Sequence, residues 1–462
     1  MKQKLLILFI ILAILSGNAV AQDVLYVPAI EGVDTLKLAI DHAAENDISM
    51  IELVTDGGIY QTEFSNTIKI YKRVTVRAAD GLTKRPILMN IDPDASTRMI
   101  FEIMDGGALI LQGLELDGLA GTETNAKYII RTDDDPQAGA TGISVNTPYT
   151  LKVIDCYLHD VVKGSDGNFF RAYQYTFADS VIFRNCILEN SGKEGIRLKE
   201  YYTMEGYGFY QANYVEVTNC TFLNTVREAV VVYGGDNEPL TPCPDVKIEH
   251  CTFFNCGNDN SRVLNLWDCD GAFVLNCNIT NSQNNDYSVK LYGTSSMITY
   301  CNLFNVGEMK LDRGAVHGGG MMAVNPMFTN IWSGDYTLAD DSPLLGMASD
   351  GTAIGDPRWD PTATEVKAAD DLVQVKDFKM NQNYPNPFNG TTMISFTLPN
   401  AGNVIIDIYN EMGQRVKTLI NEYVSAGDHK IEFSANSVPT GIYFVNLRME
   451  QYKERIKIIY LK

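Results

Sequence analysis

The sequence has few histidines, and after its first residues it has no long apolar run. Its five histidines are scattered, and His159, His250 and His317 show neither the spacing of a zinc site nor that of a catalytic triad. We find no nucleophile motif and no phosphate-binding loop. No later segment approaches the about 18 consecutive apolar residues that a membrane-spanning helix needs. The mature chain is therefore expected to have no transmembrane segment.

Basic residues are also scarce. The chain has 37 lysines and arginines against 57 aspartates and glutamates, a formal net charge of −20. A protein with this balance is not expected to bind nucleic acid or an anionic membrane as a whole. A local basic patch remains compatible with the composition.

The amino terminus has the features of an export signal. Lys2 and Lys4 precede an apolar run over residues 5–15, and the small residues at 19–21 form a cleavage site. This pattern predicts a signal peptide over residues 1–21 and a secreted or cell-surface protein. The run is short for a membrane span, although a single-span anchor is the alternative that the sequence leaves open.

Six cysteines recur every 24 to 34 residues. Each lies in a similar segment with apolar and polar residues alternating, which is typical of a β-strand. The segments are VIDCYLHD, FRNCILEN, VTNCTFLN, IEHCTFFN, VLNCNITN and ITYCNLFN, around Cys156, Cys186, Cys220, Cys251, Cys277 and Cys301. LILQGLELDG fits as an earlier copy with Gly113 in the cysteine position. Repeats this short must stack on their neighbours, so we expect a β-solenoid over residues 22–360.

The stacked cysteines are expected to point inward as small reduced residues. Adjacent rungs lie about 4.8 Å apart, so disulfides between some pairs are the alternative. Cys243, Cys256 and Cys269 lie outside this column, and the sequence does not indicate a disulfide partner for any of them. An asparagine usually follows four residues after the cysteine, and we expect these asparagines to sit in turns and to hydrogen bond up the stack. They are Asn190, Asn224, Asn255, Asn281 and Asn305.

The composition changes near the carboxyl terminus. Residues 361–380 are polar and aperiodic and are expected to form a linker. Residues 381–462 contain short strand-like runs separated by Gly, Pro and Asn, which predicts a small Ig-like β-sandwich. The fold class is thus all-β, a parallel β-helix followed by a β-sandwich.

Both regions resemble known families. The rungs, together with GVDTLKLAIDHAAENDISMIELVTDGGIYQTEF and the ending NPMFTNIWSGDYTLADDSPLLG, resemble pectate-lyase-like right-handed parallel β-helix proteins of the chondroitinase B and alginate lyase branch. This resemblance implies a capping helix over residues 34–44. The tail, with NYPNPFN, GIYFVNL and its basic end, resembles the C-terminal sorting domain of type IX secretion, which implies that machinery as a partner. A plain Ig-like accessory module is the alternative for the tail.

Five segments between the cysteine segments align as further strands: FRAYQ from Phe170, IRLKE from Ile196, VVVYG from Val230, LNLWD from Leu264 and VKLYG from Val289. Side chains alternate across a strand, so the first and third positions of each segment should face the core. One outward column then contains Arg171, Arg197, Val231, Asn265 and Lys290, and its neighbour contains Tyr173, Lys199, Tyr233, Trp267 and Tyr292.

Aromatic rings beside basic groups on an outward face indicate a partner, because sugar rings stack on aromatic faces and Arg binds carboxylates. We predict that this face binds an acidic polysaccharide, with Tyr233, Trp267, Asn265, Lys290 and Tyr292 as substrate-binding residues. The insertions at 200–213 and 234–244 offer the alternative that a loop covers it.

The resemblance further implies a polysaccharide lyase, with a Lys base, an Arg, and a calcium ion bound by Asn and Glu. It implies Lys199 as the base, Arg197 and Arg171 as the groups that neutralise the substrate carboxylate, and Tyr173 as the acid. Glu194 matches one metal position, whereas Gly192 stands at the other. The acidic runs at 133–135 and at Asp268 and Asp270 are further candidates for Ca²⁺. A non-catalytic glycan-binding or structural surface protein is the alternative function.

Overall fold

The computed structural model describes residues 24–461 except 33, 63–66, 92–98, 120–125, 134–146, 162–166, 174–175, 200–211, 234–244, 268, 270, 283–286, 332–333, 364–378, 384, 399–401, 411–413, 425–426, 436–437 and 450–451. The predicted signal peptide, most of the linker, both insertions apart from 212–213, and Cys243, Asp268 and Asp270 lie outside these residues. By its contacts the chain divides into two compact units, Met1–Val366 and Lys367–Lys462. No helix in the described part is long and apolar enough to cross a membrane.

The first unit is a parallel β-helix of three long sheets. In the described residues, sheet 1 contains the strands Val24–Val27, Met50–Leu53, Arg73–Ala78, Ala108–Gln112, Tyr149–Ile154, Ala178–Arg184, Ala212–Thr218, Asp245–Glu249, Phe273–Leu275, Met297–Thr299 and Val316–His317. Sheet 2 contains Ile68–Ile70, Phe101–Ile103, Tyr128–Thr132, Asn168–Arg171, Ile196–Leu198, Val230–Tyr233, Leu264–Trp267, Tyr287–Tyr292 and Glu308–Asp312. Sheet 3 contains Ile59–Thr62, Ile87–Asn90, Glu115–Asp117, Tyr157–Val161, Ile187–Ser191, Thr221–Thr225, Thr252–Phe254, Asn278–Thr280 and Asn302–Phe304. The predicted solenoid of stacked strands is confirmed.

One buried column runs through the predicted cysteine positions. All six cysteines of the repeat are buried and free, and so are Cys256 and Cys269. Burial raises the pKa of the Cys156 thiol to about 12, because a thiolate is poorly solvated in the apolar core. The thiols donate to nearby backbone carbonyls, as Cys186 Sγ does to Val153 O at 3.3 Å. The prediction of a reduced ladder is confirmed for these cysteines.

The glycine expected in the cysteine position lies one residue away from it. Tyr157 pairs in register with Glu115, so Leu114, which is buried, takes the place of Cys156. Gly113 instead matches Asp155, and the two share a left-handed backbone, with φ of 70° and 50°. The prediction for Gly113 was therefore wrong by one residue. Glycine suits this turn because it has no Cβ to clash in the left-handed region.

The turn asparagines form the predicted ladder. Asn190, Asn224, Asn255, Asn281 and Asn305 all have φ between 53° and 61°, a region that asparagine tolerates better than most residues. Asn224 Nδ2 donates to Asn190 Oδ1 at 3.1 Å and Asn255 Nδ2 to Asn224 Oδ1 at 2.7 Å. The row continues into the preceding rung, where Asn190 Nδ2 donates to Asp160 Oδ1 at 2.8 Å. These bonds link successive rungs along the edge of sheet 3.

Helix α1, Thr35–Glu45, is the predicted amino-terminal helix. The Asp34 carboxylate accepts from the backbone N–H of Lys37 at 3.3 Å and so caps the first turn. Leu36, Ala39, Ile40 and Ala43 are buried in the same core as the first rungs. The helix thus covers apolar side chains that would otherwise be exposed at this end of the solenoid.

The last part of the first unit folds back over sheet 3. It contains the short antiparallel strands Phe328–Asn330 and Asp335–Leu338 and the 3₁₀ turn Pro357–Trp359. Trp359 Nε1 donates to Thr221 Oγ1 at 2.7 Å, and Arg358 Nη2 donates to the carbonyl of Cys186 at 2.9 Å. Leu223 and Phe254 pack against Tyr336 and Trp359. This segment forms one wall of a cleft on sheet 3.

The second unit is built from two antiparallel sheets around one core. The three-stranded sheet contains Lys379–Met380, Thr391–Leu398 and Gly427–Ser434. The four-stranded sheet contains Arg415–Val424, Gly402–Asn410, Gly441–Met449 and Tyr452–Tyr460. Alternate residues such as Ile394 and Phe396 from the first sheet and Ile406 and Ile408 from the second are fully buried together. The prediction of a small β-sandwich is confirmed.

The buried thiols make a direct prediction. A thiol reagent added to the native protein under non-reducing conditions should label almost none of the eight described cysteines, because their sulfurs lie in the apolar core. Unfolding without reductant should then expose every one of them. Loss of titratable thiols in the unfolded, unreduced protein would contradict the reduced ladder and favour disulfides.

Candidate functional site

The outward columns of sheet 2 have the predicted register. Arg171 pairs with Arg197, and Arg197 with Val231. Asn265 pairs with Lys290, and Tyr233 with Trp267. The residues predicted to face inward, such as Phe170, Ile196 and Val230, have no exposed surface. The columns also continue beyond the predicted set, because Arg131 lies beside Arg171 and Lys310 beside Lys290.

Two arginines and two tyrosines form the amino-terminal end of this face. The guanidinium groups of Arg131 and Arg171 lie 4.8 and 4.6 Å from the ring centre of Tyr173. Arg171 Nη1 also donates to Tyr128 Oη at 3.1 Å, and the Tyr128 and Tyr173 hydroxyls are 3.2 Å apart. Burial, together with the hydrogen bond to Tyr173, raises the pKa of the Tyr128 hydroxyl. Tyr173 is thus held between two cations, with its hydroxyl in a hydrogen-bonded pair.

Two buried carboxylates lie in the middle of the face. Glu194 and Glu228 occupy equivalent positions on successive rungs, each two residues before the register pair Ile196 and Val230, and neither is exposed. Glu194 Oε1 is 2.5 Å from Arg197 Nη1 and 3.6 Å from Arg227 Nη1. Glu194 also accepts from Asn168 Nδ2 at 3.2 Å. Its negative charge is therefore shared by two guanidinium groups.

Lys199 lies beside the second carboxylate. Its Nζ is 3.9 Å from Glu228 Oε1 and 5.5 Å from the ring centre of Tyr233. Burial lowers the pKa of the Lys199 ammonium, and Arg197 and Arg227 act in the same direction against the opposing charge of Glu228. Although burial alone would raise the pKa of the Glu228 carboxyl, Lys199 and Arg227 hold it below its usual range. Burial is thus the first cause of the lowered pKa of Lys199, ahead of the neighbouring arginines.

The carboxyl-terminal end of the face is less accessible than predicted. Asn265, Lys290 and Tyr292 are buried, at 1, 8 and 4% exposure, so the expectation that they are open to solvent fails. Lys290 Nζ lies 3.5 Å from the Trp267 ring centre and 4.7 Å from that of Tyr292. Asn265 Nδ2 donates to Glu228 at 3.2 Å. These contacts lie within the sheet surface, and Trp267 and Tyr233 are half-exposed beside them.

Glu194 is a poor fit for the predicted calcium ion. A calcium site needs six to eight oxygen ligands around one point, whereas the Glu194 carboxylate is bounded by Arg197, Arg227 and the amide nitrogen of Asn168. Two guanidinium groups would repel a divalent ion at this position. Of the acidic run at 133–135, only Asp133 is described.

The sequence did not indicate three members of this site. Arg131 belongs to one rung earlier than the five aligned segments, and Arg227 and Glu228 lie in the turn before the Val230 strand. The signal for Glu228 was available, because KEGI and REAV align when Ile196 is matched to Val230. Arg227 contacts both carboxylates, with Nη1 3.6 Å from Glu194 Oε1 and Nε 3.7 Å from Glu228 Oε2.

A second cluster of polar side chains lies on sheet 3. Ligand atoms of Asp117, His159 and Asp160 lie within 4.8 Å of one another, an arrangement that is able to hold a metal ion. No spacing in the sequence indicates this cluster, because Asp117 and His159 belong to successive rungs and meet only through the strand register.

Two family models match parts of the chain. Residues 141–304 match the model described as a right handed beta helix region, and residues 382–461 match the secretion system C-terminal sorting domain. The solenoid is thus a right-handed β-helix, and the second unit is a sorting domain of the type IX secretion system. A domain of this kind indicates a secreted or cell-surface protein. No curated protein matches the chain.

Among solved structures, the chain is similar to the PL6 family alginate lyase AlyGC. The TM-score is 0.45 at 18% identity, over 65% of this chain and 39% of that chain. A substituted variant of the same enzyme gives a TM-score of 0.43 at 17% identity, over 67% and 41%. The chain thus matches only about two fifths of the length of these structures, and similarity at this level does not assign a substrate.

Proposed function

We propose that this chain is a carbohydrate-active protein of the cell surface or the extracellular medium. In this proposal, the outward face of sheet 2 binds an acidic polysaccharide and cleaves it by β-elimination. The observation that carries the proposal is the half-buried Lys199, which has a lowered pKa and lies beside Glu228 and the ring of Tyr233.

The binding part of the proposal rests on the order of side chains along the solenoid. Arg171, Arg197 and Lys199 lie beside Tyr173, Tyr233 and Trp267 on four successive rungs, which span about 14 Å at the usual strand spacing. That length accommodates two or three sugar units. Half-exposed rings stack on sugar faces, and the guanidinium groups pair with uronate carboxylates. Because the protein carries a net charge of −20, this local cationic surface is what attracts an anionic chain.

Each of these side chains has a role in the proposed β-elimination. Neutral Lys199 Nζ takes the C5 proton of a bound uronate, whose carboxylate is neutralised by Arg197 and Arg171. The electron pair released at C5 forms the C4–C5 double bond as the bond from C4 to the leaving oxygen breaks. Tyr173, at the matching position of the preceding rung, donates its hydroxyl proton to that oxygen. Solvent then returns Lys199 and Tyr173 to their starting protonation states.

Lys199 is suited to this role because an ordinary lysine is almost fully protonated near neutral pH. Burial and the neighbouring arginines increase the neutral fraction at a given pH. Calcium has no step in this proposal, because Arg197 and Arg227 occupy the position beside Glu194 where a cation would neutralise the substrate. This assignment differs from the calcium-assisted site that the sequence resemblance implied.

A second candidate function is glycan binding without catalysis. This function is favoured because side chains of the face already pair with one another. Lys290 lies against the rings of Trp267 and Tyr292, and two arginines share the charge of Glu194. A surface of this kind is able to hold a polysaccharide with no group free to act as a base.

The experiment that tests the proposal is a screen for unsaturated uronates. The purified protein is incubated with alginate, chondroitin, dermatan and pectin, and the ultraviolet absorbance of the C4–C5 double bond is followed. We expect a time-dependent increase with at least one of them, which persists in the presence of a calcium chelator. Binding of these polymers without any increase would favour the non-catalytic function.

A further inference from the structure

We propose that His159 and the carboxylates around it on sheet 3 form a binding site for a divalent transition-metal ion. His159 Nδ1 lies 3.0 Å from Asp160 Oδ2 and 3.9 Å from Asp117 Oδ1, and its Nε2 lies 3.2 Å from Glu115 Oε1. The imidazole is 11% exposed. The site faces away from the core on a different sheet from Lys199, so it is independent of the function proposed above.

The fold holds these groups in place before any ion binds. Asp117 and His159 are register partners on neighbouring strands of sheet 3, and Glu115 precedes Asp117 in the same strand by two residues. Asp160 has a left-handed backbone, with φ of 60°, which turns its carboxylate back toward the ring. Its other oxygen accepts from Asn190, the first amide of the asparagine ladder. Asp117 Oδ1 accepts from the backbone N–H of Leu119 at 2.7 Å.

The hydrogen-bonding capacity of imidazole is the main argument for an ion. A neutral imidazole has one N–H donor and one acceptor nitrogen, and an ionised carboxylate only accepts. Both ring nitrogens of His159 nevertheless face carboxylate oxygens. One of these contacts therefore lacks a proton, unless the ring is a full imidazolium or an ion lies between a nitrogen and the carboxylates. An ion at Nδ1 would contact Asp117 and Asp160 and leave Nε2–H to donate to Glu115.

The charges of the carboxylates around His159 also favour a bound ion. Within the part of the chain that the structure describes, no lysine or arginine forms an ion pair with Glu115, Asp117 or Asp160. A divalent ion would neutralise two of these charges, whereas an imidazolium neutralises one. A carboxylate that hydrogen bonds to the far nitrogen of a metal-bound histidine, as Glu115 would, is a common arrangement around such ions.

The ligand types select the class of ion. Imidazole suits zinc, copper, nickel and iron, whereas calcium and magnesium prefer sites made of oxygen alone. Glu115 also lines the cleft of about 530 Å³ on sheet 3, with Tyr157, Glu189, Tyr336 and Trp359. The Tyr157 ring stacks on His159 with 4.3 Å between ring centres. The site therefore lies at the edge of the cleft, which gives an ion a path from solvent.

Calorimetric titration of the chelator-treated full chain with Zn²⁺, Mn²⁺ and Ni²⁺ tests the proposal. We expect one ion of at least one of these metals to bind per chain and to raise the unfolding temperature. His159→Gln and Asp117→Asn should each weaken binding about tenfold or more, the lower end of what loss of a supporting group costs. The matched control is His250→Gln. His250 has the same 9% exposure as His159 but faces a single carboxylate, Asp350, at 3.1 Å, so its loss should leave the affinity unchanged.

Two results would overturn the proposal. One is the absence of stoichiometric binding of any of the three ions to the unaltered protein, which would show that the cluster holds none of them. The other is binding that His159→Gln and Asp117→Asn leave unchanged, which would place the ion elsewhere. Because the first result needs no variant, the test does not depend on whether the substituted proteins fold.

Discussion

Replacing Lys199 by methionine should abolish cleavage of an acidic polysaccharide and leave its binding within a few fold of the original. Methionine keeps the length and apolar stem of the side chain but has no nitrogen to accept the C5 proton. A general base contributes typically about 10² to 10⁴ in rate, mostly in the transition state, so kcat should fall by at least about 10² while KM changes little. The measurement is the initial rate of double-bond formation on the substrate found in the screen.

The pH dependence of the rate should report the same group. Only the neutral amine is a base, and the pKa of Lys199 is lowered by burial and by Arg197 and Arg227. The rate should therefore rise with pH through the pKa of Lys199, at a lower pH than an ordinary lysine would require. Lys152→Met is the matched control. Lys152 lies on sheet 1, and its pKa is also lowered by burial and by nearby arginines, so its loss should change neither the rate nor the profile.

Full activity of Lys199→Met on a confirmed substrate would show that another group is the base. Equal losses in Lys199→Met and Lys152→Met would instead indicate a general effect on the fold. In either case the binding part of the proposal would need separate evidence.

Replacing Glu194 by alanine should destabilise the β-helix strongly. Glu194 is fully buried and lies between Arg197 and Arg227, so its loss removes the carboxylate whose charge these two guanidinium groups share. Removing one partner of a buried ion pair costs about 3–5 kcal/mol. Urea unfolding of the variant, followed by circular dichroism, should show a decrease of this size in the free energy of unfolding.

The control for this variant is Glu249→Ala on sheet 1. Glu249 is 21% exposed and pairs with Lys247 at 2.7 Å, and a partly exposed pair of this kind contributes about 0–1 kcal/mol. Comparable stability losses in the two variants would contradict the view that Glu194 is a structural counter-ion. A stabilised Glu194→Ala protein would contradict it more strongly.

The register of the solenoid was predictable because every rung repeats the same alternation. Once Cys186 and Cys220 are aligned, Ile196 and Val230 must face inward and Arg197 must face outward, since a shift by one residue would reverse all of them. The turn conformation of Asn190 and its relatives followed from the same repeat, since asparagine tolerates the left-handed region. These features depend only on local pattern and on stacking.

The partners of the outward side chains were not predictable in the same way. These partners depend on turns whose lengths differ from rung to rung. The alternation of residues within the strands does not predict which side chains such turns bring into contact. Arg227 approaches Glu194 from the turn of the next rung, and Lys290 is buried because two rings enclose it. Gly113 was misplaced because glycine suits both a small core position and a left-handed turn.

The central claim, that the face of sheet 2 holds an acidic polysaccharide, is tested most directly by calorimetric titration with the same acidic polymers and with a neutral polysaccharide, at low and high salt. We expect the binding of the acidic polymers to weaken with salt. Arg197→Gln should reduce the affinity for charged polymers only, and Trp267→Ala should reduce it for charged and neutral polymers alike. Arg184→Gln, which removes an arginine paired with buried Glu216 on sheet 1, should have no effect on binding. Binding that neither Arg197→Gln nor Trp267→Ala alters would contradict the account.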